Sequence, residues 1–364
     1  MTKNDKIYMR EALSLAEKAK ERTYPNPMVG AVIVRSGRII GRGYHKQFGG
    51  MHAEPAAIGS SDIDCIGSDM YVTLEPCDHY GKTPPCTDKI IKSGIKRVFV
   101  AMKDPNPLNA GKGIKKLRRA GIEVFIGLHL KEAEWINRKY LKYITTGMPY
   151  ITVKLAQSLD GKIAARDGSS KWISSGASRR HVKKIRSTFD AVMVGSNTIK
   201  TDNPLLLGSG KRVPARITVD TCLKISEETQ LIKTARNGPV IIGTTELASK
   251  QKIRRLGSIP GVEIDVRKSQ RGKVPLKSFL KGVAKKGLIN ILVEGGGEVV
   301  GNMLDNGLVD EVMVFISPKI IGGSFGSIKG GGVKNIGEAY DLDHVKITNI
   351  GPDILVSGTL NNRG

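Results

Sequence analysis

At 364 residues, with 40% hydrophobic and 25% charged residues, the chain is long enough for two domains and too hydrophobic for extended disorder. The formal net charge of +24 raises a nucleic-acid partner as a possibility, but the excess of lysine and arginine is spread over both halves and forms no basic tail. No apolar run is long enough to span a membrane or resembles a signal peptide, so we expect a cytoplasmic protein in which the four cysteines form no disulfide framework.

The first half of the chain alternates strands and helices. Apolar residues at helical spacing predict a helix over residues 5–20, and two prolines then place Asn26 on a stiff loop. A hairpin is predicted about Ser36-Gly37. The other predicted elements are strands at 70–74, 96–102 and 122–127 and helices at 52–58, 86–93, 112–119 and 131–145. This order predicts a layered α/β domain that ends at residue 148. The basic helix at 112–119 is interpreted as a solvated face.

A histidine and two cysteines lie among these elements in an order that suits a catalytic metal. His52, Cys77 and Cys86 are donor types that zinc prefers, and three protein ligands leave a fourth position for water. Zinc lowers the pKa of water to about 7, and Glu54 follows His52 closely enough to carry protons. Any one of these residues alone is more often a surface or core side chain. Together they predict hydrolytic loss of ammonia from an aminopyrimidine-like ring.

The second half begins with a strand predicted at 150–155. A segment at 169–175 caps a helix that carries Arg186, and a strand at 190–195 leads to Thr198 and Asp202. A strand at 290–294 then passes through three glycines to a helix at 298–305, whose first amides suit a phosphate group. That glycine turn is weak evidence by itself, because its spacing differs from the dinucleotide-binding fingerprint.

Taken together, these segments resemble the bifunctional deaminase/reductase family of riboflavin biosynthesis. The resemblance implies a cytidine-deaminase-like three-layer domain at residues 1–148 and a dihydrofolate-reductase-like domain at 149–364. Eight residues separate Cys77 from Cys86, as in that family, whereas the general zinc-deaminase signature has two. The resemblance is least distinctive at residues 207–287 and after 332. The segments that carry it are Asn26-Pro27-Met28-Val29-Gly30, His52-Ala53-Glu54, Glu75-Pro76-Cys77 through Cys86, and, in the second half, residues 154–162, 170–174, 202–204 and 293–297.

The resemblance implies two successive reactions. The first half is expected to bind one zinc ion per chain on His52, Cys77 and Cys86, with Glu54 as proton carrier, and to deaminate diaminohydroxyphosphoribosylaminopyrimidine. The second half is expected to use NADPH to reduce the ribosyl group of the product to ribityl. Lys154 is the candidate for polarising or protonating near the sugar carbon, with a solvated lysine at a strand edge as the alternative.

The same resemblance assigns contacts to individual residues. Arg186 is expected to pair with the substrate phosphate. Where the family has a second arginine this chain has Ser209, and Lys211 and Arg212 are the candidates to replace it. The expected substrate contacts are Asn26, Lys82, Ser170, Arg186, Leu206 and Glu294. The expected cofactor contacts are Ala156, Trp172, Thr198, Asp202, Gly295, Gly296 and Gly297.

Two other functions are compatible with parts of the sequence. The charge slightly favours a base deaminase that acts on RNA, although aromatic residues make up only 5% of the chain and do not cluster with the basic runs. A non-catalytic protein stabilised by zinc would leave Glu54 without a role. We therefore expect a phosphorylated pyrimidine as partner, no nucleic acid and no membrane. Two active sites per chain and the family resemblance imply a homodimer or larger homo-oligomer.

Overall fold

Alternating strands and helices build two separate α/β units, Met1–Gly147 and Met148–Gly364. The computed structural model describes residues 2–19, 22–81, 84–210 and 212–361. Among these residues, no helix combines the length and the apolar composition that a membrane span needs.

In the first unit the strands form a mixed sheet. Its strands are β1 (Gly30–Arg35), β2 (Arg38–Tyr44), β3 (Asp69–Leu74), β4 (Arg97–Met102) and β5 (Glu123–Ile126). They lie in the order β2-β1-β3-β4-β5, with β1 antiparallel to both neighbours and β3, β4 and β5 parallel. The helices are α1 (Lys3–Glu17), α2 (Ala53–Gly59), α3 (Cys86–Lys92), α4 (Lys112–Arg119) and α5 (Leu130–Thr146).

Two glycines show that helices cover both faces of this sheet. A Cβ atom at Gly30 would lie 2.0 Å from the Ala12 carbonyl oxygen of α1, and one at Gly43 would lie 2.2 Å from the Ala57 nitrogen of α2. Gly30 pairs with Tyr44, so Gly43, one residue earlier, faces the opposite side. The unit therefore has three layers, and α2 can approach the sheet only because glycine leaves room for its backbone.

The second unit is built on a larger sheet. Its strands are β6 (Tyr150–Ser158), β7 (Ala191–Gly195), β8 (Ala215–Val219), β9 (Val240–Thr245), β10 (Val262–Arg267), β11 (Asn290–Glu294), β12 (Glu311–Ser317), β13 (Leu342–Ile350) and β14 (Asp353–Leu360). Their order is β10-β9-β8-β7-β11-β6-β12-β14-β13. In this order the seven strands from β10 through β12 run parallel to one another, and β14 is antiparallel to both β12 and β13.

Helices on both faces of this sheet bury the central strands completely. The helices are α6 (Gly176–Arg186), α7 (Ser196–Asp202), α8 (Gln230–Lys233), α9 (Lys250–Gly257), α10 (Leu276–Lys285) and α11 (Gly297–Asp305). In β7, Met193 belongs to the apolar cluster that includes Phe279 of α10, whereas Val192 and Val194 belong to the cluster that includes Leu256 of α9. Burial on both faces explains why β7 and β11 are continuous apolar runs.

The topology creates a crevice at the carboxyl ends of the central strands of the second sheet. Strands β7 and β11 are neighbours, but the chain leaves β7 toward β8 and leaves β11 toward β12, in opposite directions across the sheet. Ligands of open parallel sheets bind outside the carboxyl ends of the strands at such a switch point. We therefore expect a ligand-binding site at the carboxyl ends of β6, β7 and β11.

Candidate active sites

In the first unit, three elements bring the predicted zinc ligands together. His52 is the residue that precedes α2, Cys77 lies in the loop after β3, and Cys86 is the first residue of α3. The His52 Nδ1 atom lies 3.2 Å from the Cys86 Sγ atom and 3.5 Å from the Cys77 Sγ atom. The three ligand atoms all lie within 4.8 Å of one another. Ligands of a tetrahedral zinc ion lie roughly 3.5–4 Å apart, so the cluster fits the ion.

Among these three residues, Cys77 carries the negative charge. A hydrogen bond from the Cys86 thiol lowers the pKa of Cys77 to about 4, and the same contact raises the pKa of Cys86. The interaction with Cys77 raises the pKa of His52. Cys77 is therefore a thiolate beside the Cys86 thiol and the His52 ring, and the thiolate is the form of cysteine that binds zinc.

Glu54 lies in the first turn of α2 and is 4% exposed. Burial, followed by the nearby charge of Cys77, raises the pKa of its carboxyl group to about 7. The carboxyl group also interacts with the Cys86 thiol. The structure thus places a buried carboxyl group directly beside the three donor atoms, where the sequence predicted the proton carrier.

Asp78 and Lys116 hold the two cysteine segments together. The Asp78 Oδ1 atom accepts hydrogen bonds from the Thr87 hydroxyl at 2.8 Å and from the Lys116 ammonium at 2.7 Å. The same ammonium contacts Asp88 of α3 at 2.7 Å. The prediction that the basic helix presents only a solvated face is therefore wrong for Lys116, because this side chain finds two acidic partners that are distant in sequence.

Glu75 is a positioning residue to which sequence reasoning assigned no role. It is 3% exposed, and its carboxylate accepts hydrogen bonds from the backbone amides of Asp104 at 3.2 Å, Gly111 at 3.0 Å and Ile114 at 3.2 Å. These bonds tie the loop before Cys77 to the start of α4. The only signal in the sequence was a carboxylate directly after a buried strand.

Asn26 lies on the histidine side of the metal cluster. Its side-chain amide is 3.4 Å from the His45 Nε2 atom, and the His45 ring meets the His52 ring edge to face with centroids 5.4 Å apart. Burial lowers the pKa of His45, which favours its neutral form. Asn26 is thus near the metal ligands, as a substrate contact must be. Lys82, the other predicted substrate contact of this half, lies outside the described residues.

The second unit contains a cavity of about 940 Å³ at the carboxyl ends of the central strands. A cavity of this size accepts a dinucleotide together with a small substrate. Most of the predicted contacts of this half line it. They are Lys154, Ala156, Ser170, Arg186, Thr198, Asp202, Leu206, Glu294, Gly295, Gly296 and Gly297.

Trp172 is the predicted cofactor contact that the structure does not bring to the cavity wall. Its side chain is 62% exposed, and the Arg179 guanidinium lies 4.1 Å from the ring centroid. The Lys319 ammonium donates a hydrogen bond to the Trp172 carbonyl at 2.7 Å. The neighbouring Ser170 does line the cavity, so the segment reaches the cavity but the Trp172 side chain does not.

Lys154, Arg186 and Glu294 form a buried charge cluster at the floor of the cavity. Arg186 donates from Nε at 2.5 Å and from Nη2 at 3.0 Å to the two oxygens of Glu294, and the Lys154 ammonium lies 3.9 Å from Glu294. Burial lowers the pKa of Lys154. Burial opposes ionisation of Glu294, but Arg186 and Lys154 outweigh it and lower the pKa of this carboxyl group. Lys154 is 17% exposed, which excludes the solvated alternative.

Two predicted phosphate contacts are engaged with protein groups. Besides Glu294, Arg186 donates to the Leu207 carbonyl at 3.3 Å. Arg212, a candidate to replace the arginine missing at Ser209, pairs with Asp190 instead. The other candidate, Lys211, lies outside the described residues. Arg186 keeps two of its five donor hydrogens for a ligand.

The glycine turn after β11 has backbone φ angles that only glycine adopts readily. Gly295 and Gly296 have φ angles of +75° and +80°, and α11 begins at Gly297. A Cβ atom at Gly296 would lie 3.4 Å from the Thr198 hydroxyl, and both the turn and the first residues of α11 line the cavity. The amides of the first turn of α11 thus open toward the cavity, where they suit the phosphates of a dinucleotide.

Comparisons with known proteins agree with two units that carry different sites. Residues 2–102 match the family model described as the cytidine and deoxycytidylate deaminase zinc-binding region, and residues 149–356 match that of the RibD C-terminal domain. The riboflavin biosynthesis protein RibD of Aquifex aeolicus is 42% identical over 355 residues, which cover 97% of each chain. The RibD protein of Escherichia coli is 35% identical over 366 residues, covering 96% of this chain and 98% of its own.

Solved structures show the same similarity. Acinetobacter baumannii RibD superimposes with a TM-score of 0.85 at 32% identity, covering 99% of both chains. The Thermotoga maritima diaminohydroxyphosphoribosylaminopyrimidine deaminase/5-amino-6-(5-phosphoribosylamino)uracil reductase superimposes with a TM-score of 0.82 at 35% identity, covering 98% of this chain and 99% of its own. The predicted combination of a deaminase-like and a reductase-like α/β domain is confirmed.

Proposed function

The chain belongs to the RibD family of bifunctional riboflavin biosynthesis enzymes, and on that premise we propose a role for each residue of its two sites. The first unit deaminates 2,5-diamino-6-ribosylamino-4(3H)-pyrimidinone 5′-phosphate. The second reduces the ribosyl group of 5-amino-6-(5-phosphoribosylamino)uracil to ribityl. The observation that carries this proposal is the convergence of His52, Cys77 and Cys86 beside the buried carboxyl group of Glu54.

Glu54 is the proton carrier of the deamination. Zinc on His52, Cys77 and Cys86 supplies, when bound, the acidity that makes water a nucleophile at neutral pH. Glu54 accepts the proton that the attacking water loses, delivers it to the ring nitrogen and assists departure of the amine as ammonia. Asn26 orients the ring from the side of His45. Burial of Glu54 excludes bulk water from this exchange, so the proton passes between the carboxyl group and the substrate.

Lys154 is the proton donor of the reduction. NADPH, when bound against Gly295 to Gly297, supplies the hydride. The ribosyl ring opens when the bond between its anomeric carbon and ring oxygen breaks, and that oxygen must gain a proton. Burial, which lowers the pKa of Lys154, makes its ammonium a better acid than a surface lysine. Glu294 holds Lys154 and Arg186 in one orientation, and Arg186 keeps donors for the substrate.

Assembly and location belong to the same proposal. The deaminase site needs two free thiols, and Cys77 and Cys86 form no disulfide, which suits the reducing cytoplasm. We propose a homodimer because β13 is an edge strand whose exposed side chains include Val345, 53% exposed, and Ile347, 68% exposed. Unpaired edges with apolar side chains are surfaces that another chain can cover.

Glu54→Gln tests the deaminase assignment. Because the amide cannot carry the proton, we expect ammonia release from the diaminopyrimidine ribosyl phosphate to fall by about 10²–10⁴-fold. Zinc content should stay at one ion per chain, and NADPH oxidation with the deaminated product should be unchanged. Ammonia release is followed with a coupled assay and zinc by elemental analysis.

Glu123→Gln is the matched control, since Glu123 is an exposed carboxylate of the same unit. It should leave ammonia release unchanged. Equal rates for Glu54→Gln and the wild type would contradict the role of Glu54. A wild-type protein that ignores the small substrate but deaminates RNA would instead support the nucleic-acid alternative.

A further inference from the structure

The cavity of the second unit has two ends that differ in chemistry. The pairing of the strands places Lys154 beside Glu294, and Gly195 beside Val219, at the carboxyl ends of these strands. From one side of the cavity to the other, the strands follow the order β6, β11, β7, β8. Neighbouring strands lie about 4.8 Å apart, so β6 and β8 are separated by roughly 14 Å. The charge cluster occupies the β6 end, the glycine turn the middle, and Val219 and Thr221 the β8 end.

This order fixes how a dinucleotide lies in the cavity, if the second unit is the reductase proposed above. The nicotinamide must reach the sugar beside Lys154, and the diphosphate suits the amides that follow Gly296. The adenosine half then extends toward β8. Its ribose carries a 2′-phosphate in NADPH and a hydroxyl in NADH, and we expect it near Val219 and Thr221, which line the cavity.

Lys273 also lines the cavity, and it lies shortly before α10, which packs on β9 beside β8, because a Cβ atom at Gly243 would lie 2.8 Å from the Phe279 ring. The backbone amide and carbonyl of Lys273 both bond to Gln270, at 3.0 and 2.9 Å, and close a tight turn in which Arg271 and Gly272 have φ angles of +50° and +69°. The turn therefore sets the starting point of the Lys273 side chain. The next residue, Val274, is buried in the core of the unit and lines the cavity as well.

The other cations of the cavity wall are placed elsewhere. Lys154 and Arg186 pair with Glu294 at the β6 end. The backbone amide of Lys329 bonds to the Gly297 carbonyl, and its ammonium lies 5.2 Å from the centroid of the Phe325 ring. Lys171 belongs to the segment that follows β6. Within the described part of the chain, no ion pair or side-chain hydrogen bond engages Lys273.

The acidic residue expected in an NADH-specific site is turned away. In such sites an Asp or Glu near the end of a strand accepts a hydrogen bond from the ribose 2′-hydroxyl. Here Asp220 directly follows β8, but it is 5% exposed and its carboxylate accepts a hydrogen bond from the Ile225 amide at 2.8 Å. Asp220 is not part of the cavity wall, so it does not repel a phosphate there.

We propose that Lys273 is the residue that recognises the 2′-phosphate and selects NADPH over NADH. It acts as a charge at the far end of the cavity and takes no part in the chemistry at Lys154. Its effect is confined to ligands that carry the 2′-phosphate, which separates it from a general attraction of anions by the basic surface.

Calorimetric binding to the full chain tests this role without turnover. The ligands are NADPH, NADH and the fragments 2′,5′-ADP and 5′-AMP. Lys273→Gln should raise the Kd of NADPH and of 2′,5′-ADP by about tenfold. The Kd values of NADH and 5′-AMP should stay within about twofold of wild type. Lys273→Arg should retain the preference for the phosphorylated ligands, because it retains the charge.

Lys277→Gln is the matched control, since it removes an exposed positive charge four residues further along the chain, in the first turn of α10. It should change none of the four Kd values. The proposal is overturned if Lys273→Gln weakens NADPH and NADH equally or changes neither, or if the wild type binds NADH as tightly as NADPH. A wild type that binds neither dinucleotide overturns the reductase assignment itself, and Lys273 with it.

Discussion

At the scale of single residues, Glu294 decides the electrostatics of the second site. It is the carboxylate that faces both Lys154 and Arg186, and all three side chains are largely buried. A buried cation is costly without a partner, whereas a paired one with several hydrogen bonds is tolerated. Glu294 therefore permits two cations to be held at the floor of a cavity, where one can donate a proton and the other can bind an anion.

Glu294→Gln should destabilise the second unit by about 3–5 kcal/mol at pH 7, because it leaves two buried cations without a carboxylate. The pKa of Glu294 is lowered from 4.5, so its contribution is complete above that pH and is lost as pH falls through the lower folded value. The difference from wild type should therefore shrink as pH falls below 4.5. Denaturant unfolding at pH 7 and at the lowest pH where both proteins fold measures it.

The control for this change is Glu298→Gln, which removes an exposed carboxylate from the first turn of α11. A loss of helix-dipole interaction there costs less than about 1 kcal/mol. A Glu294→Gln protein that is as stable as Glu298→Gln at pH 7 would refute the structural role of the buried cluster.

At the scale of elements, Lys116 links α4 to both cysteine segments. Asp78 follows Cys77 directly, and Asp88 lies two residues after Cys86, so one ammonium bridges the neighbours of two metal ligands. The two ends of the segment between the cysteines are thereby held to the same helix. Partners of metal ligands typically change metal affinity by about 10–100-fold when removed.

The Lys116→Met substitution keeps the aliphatic part of the side chain but removes both ion pairs. The variant should therefore release zinc more readily than the wild type. We expect the zinc affinity, measured by competition with a chromophoric chelator, to fall by about tenfold. Lys115→Met, an exposed neighbour on the same helix, should match wild type. Equal zinc affinity in the two variants would show that the two ion pairs of Lys116 do not support the metal ligands.

These elements also show what the sequence could and could not predict. The alternation of strands and helices was correct from α1 to β7, and the order of His52, Cys77 and Cys86 predicted a cluster that the fold brings together. Such patterns are local in sequence. The partners of Lys116 lie 38 and 28 residues away, and Lys273 lies in the least distinctive region, where strands β8 to β10 received no assignment. Contacts of this kind depend on tertiary packing, which no spacing rule records.

At the scale of the whole molecule, α6 covers one face of the large sheet at its β13 end. Phe315 and Leu355 face Val182 of α6 and form a small core. Residues on the opposite face of the same strands include Ile354, which is 42% exposed, and Ile347, which is 68% exposed. Strand β13 pairs only with β14 among the described strands and is an edge of the sheet. A second copy of the chain that covers this surface would bury both the apolar side chains and the free edge.

Ile347→Lys tests this surface, because a buried lysine without a partner opposes association. If a second copy covers β13, the wild type should have twice the monomer mass in light scattering at micromolar concentration, and the variant should shift to the monomer mass. Ile66→Lys, which changes an isoleucine of the first unit that is 65% exposed, should remain dimeric. The thermal unfolding of both variants identifies any loss of folding. A monomeric wild type would refute the proposed homodimer. An Ile347→Lys protein that stays dimeric would show that the interface lies on another surface of the chain.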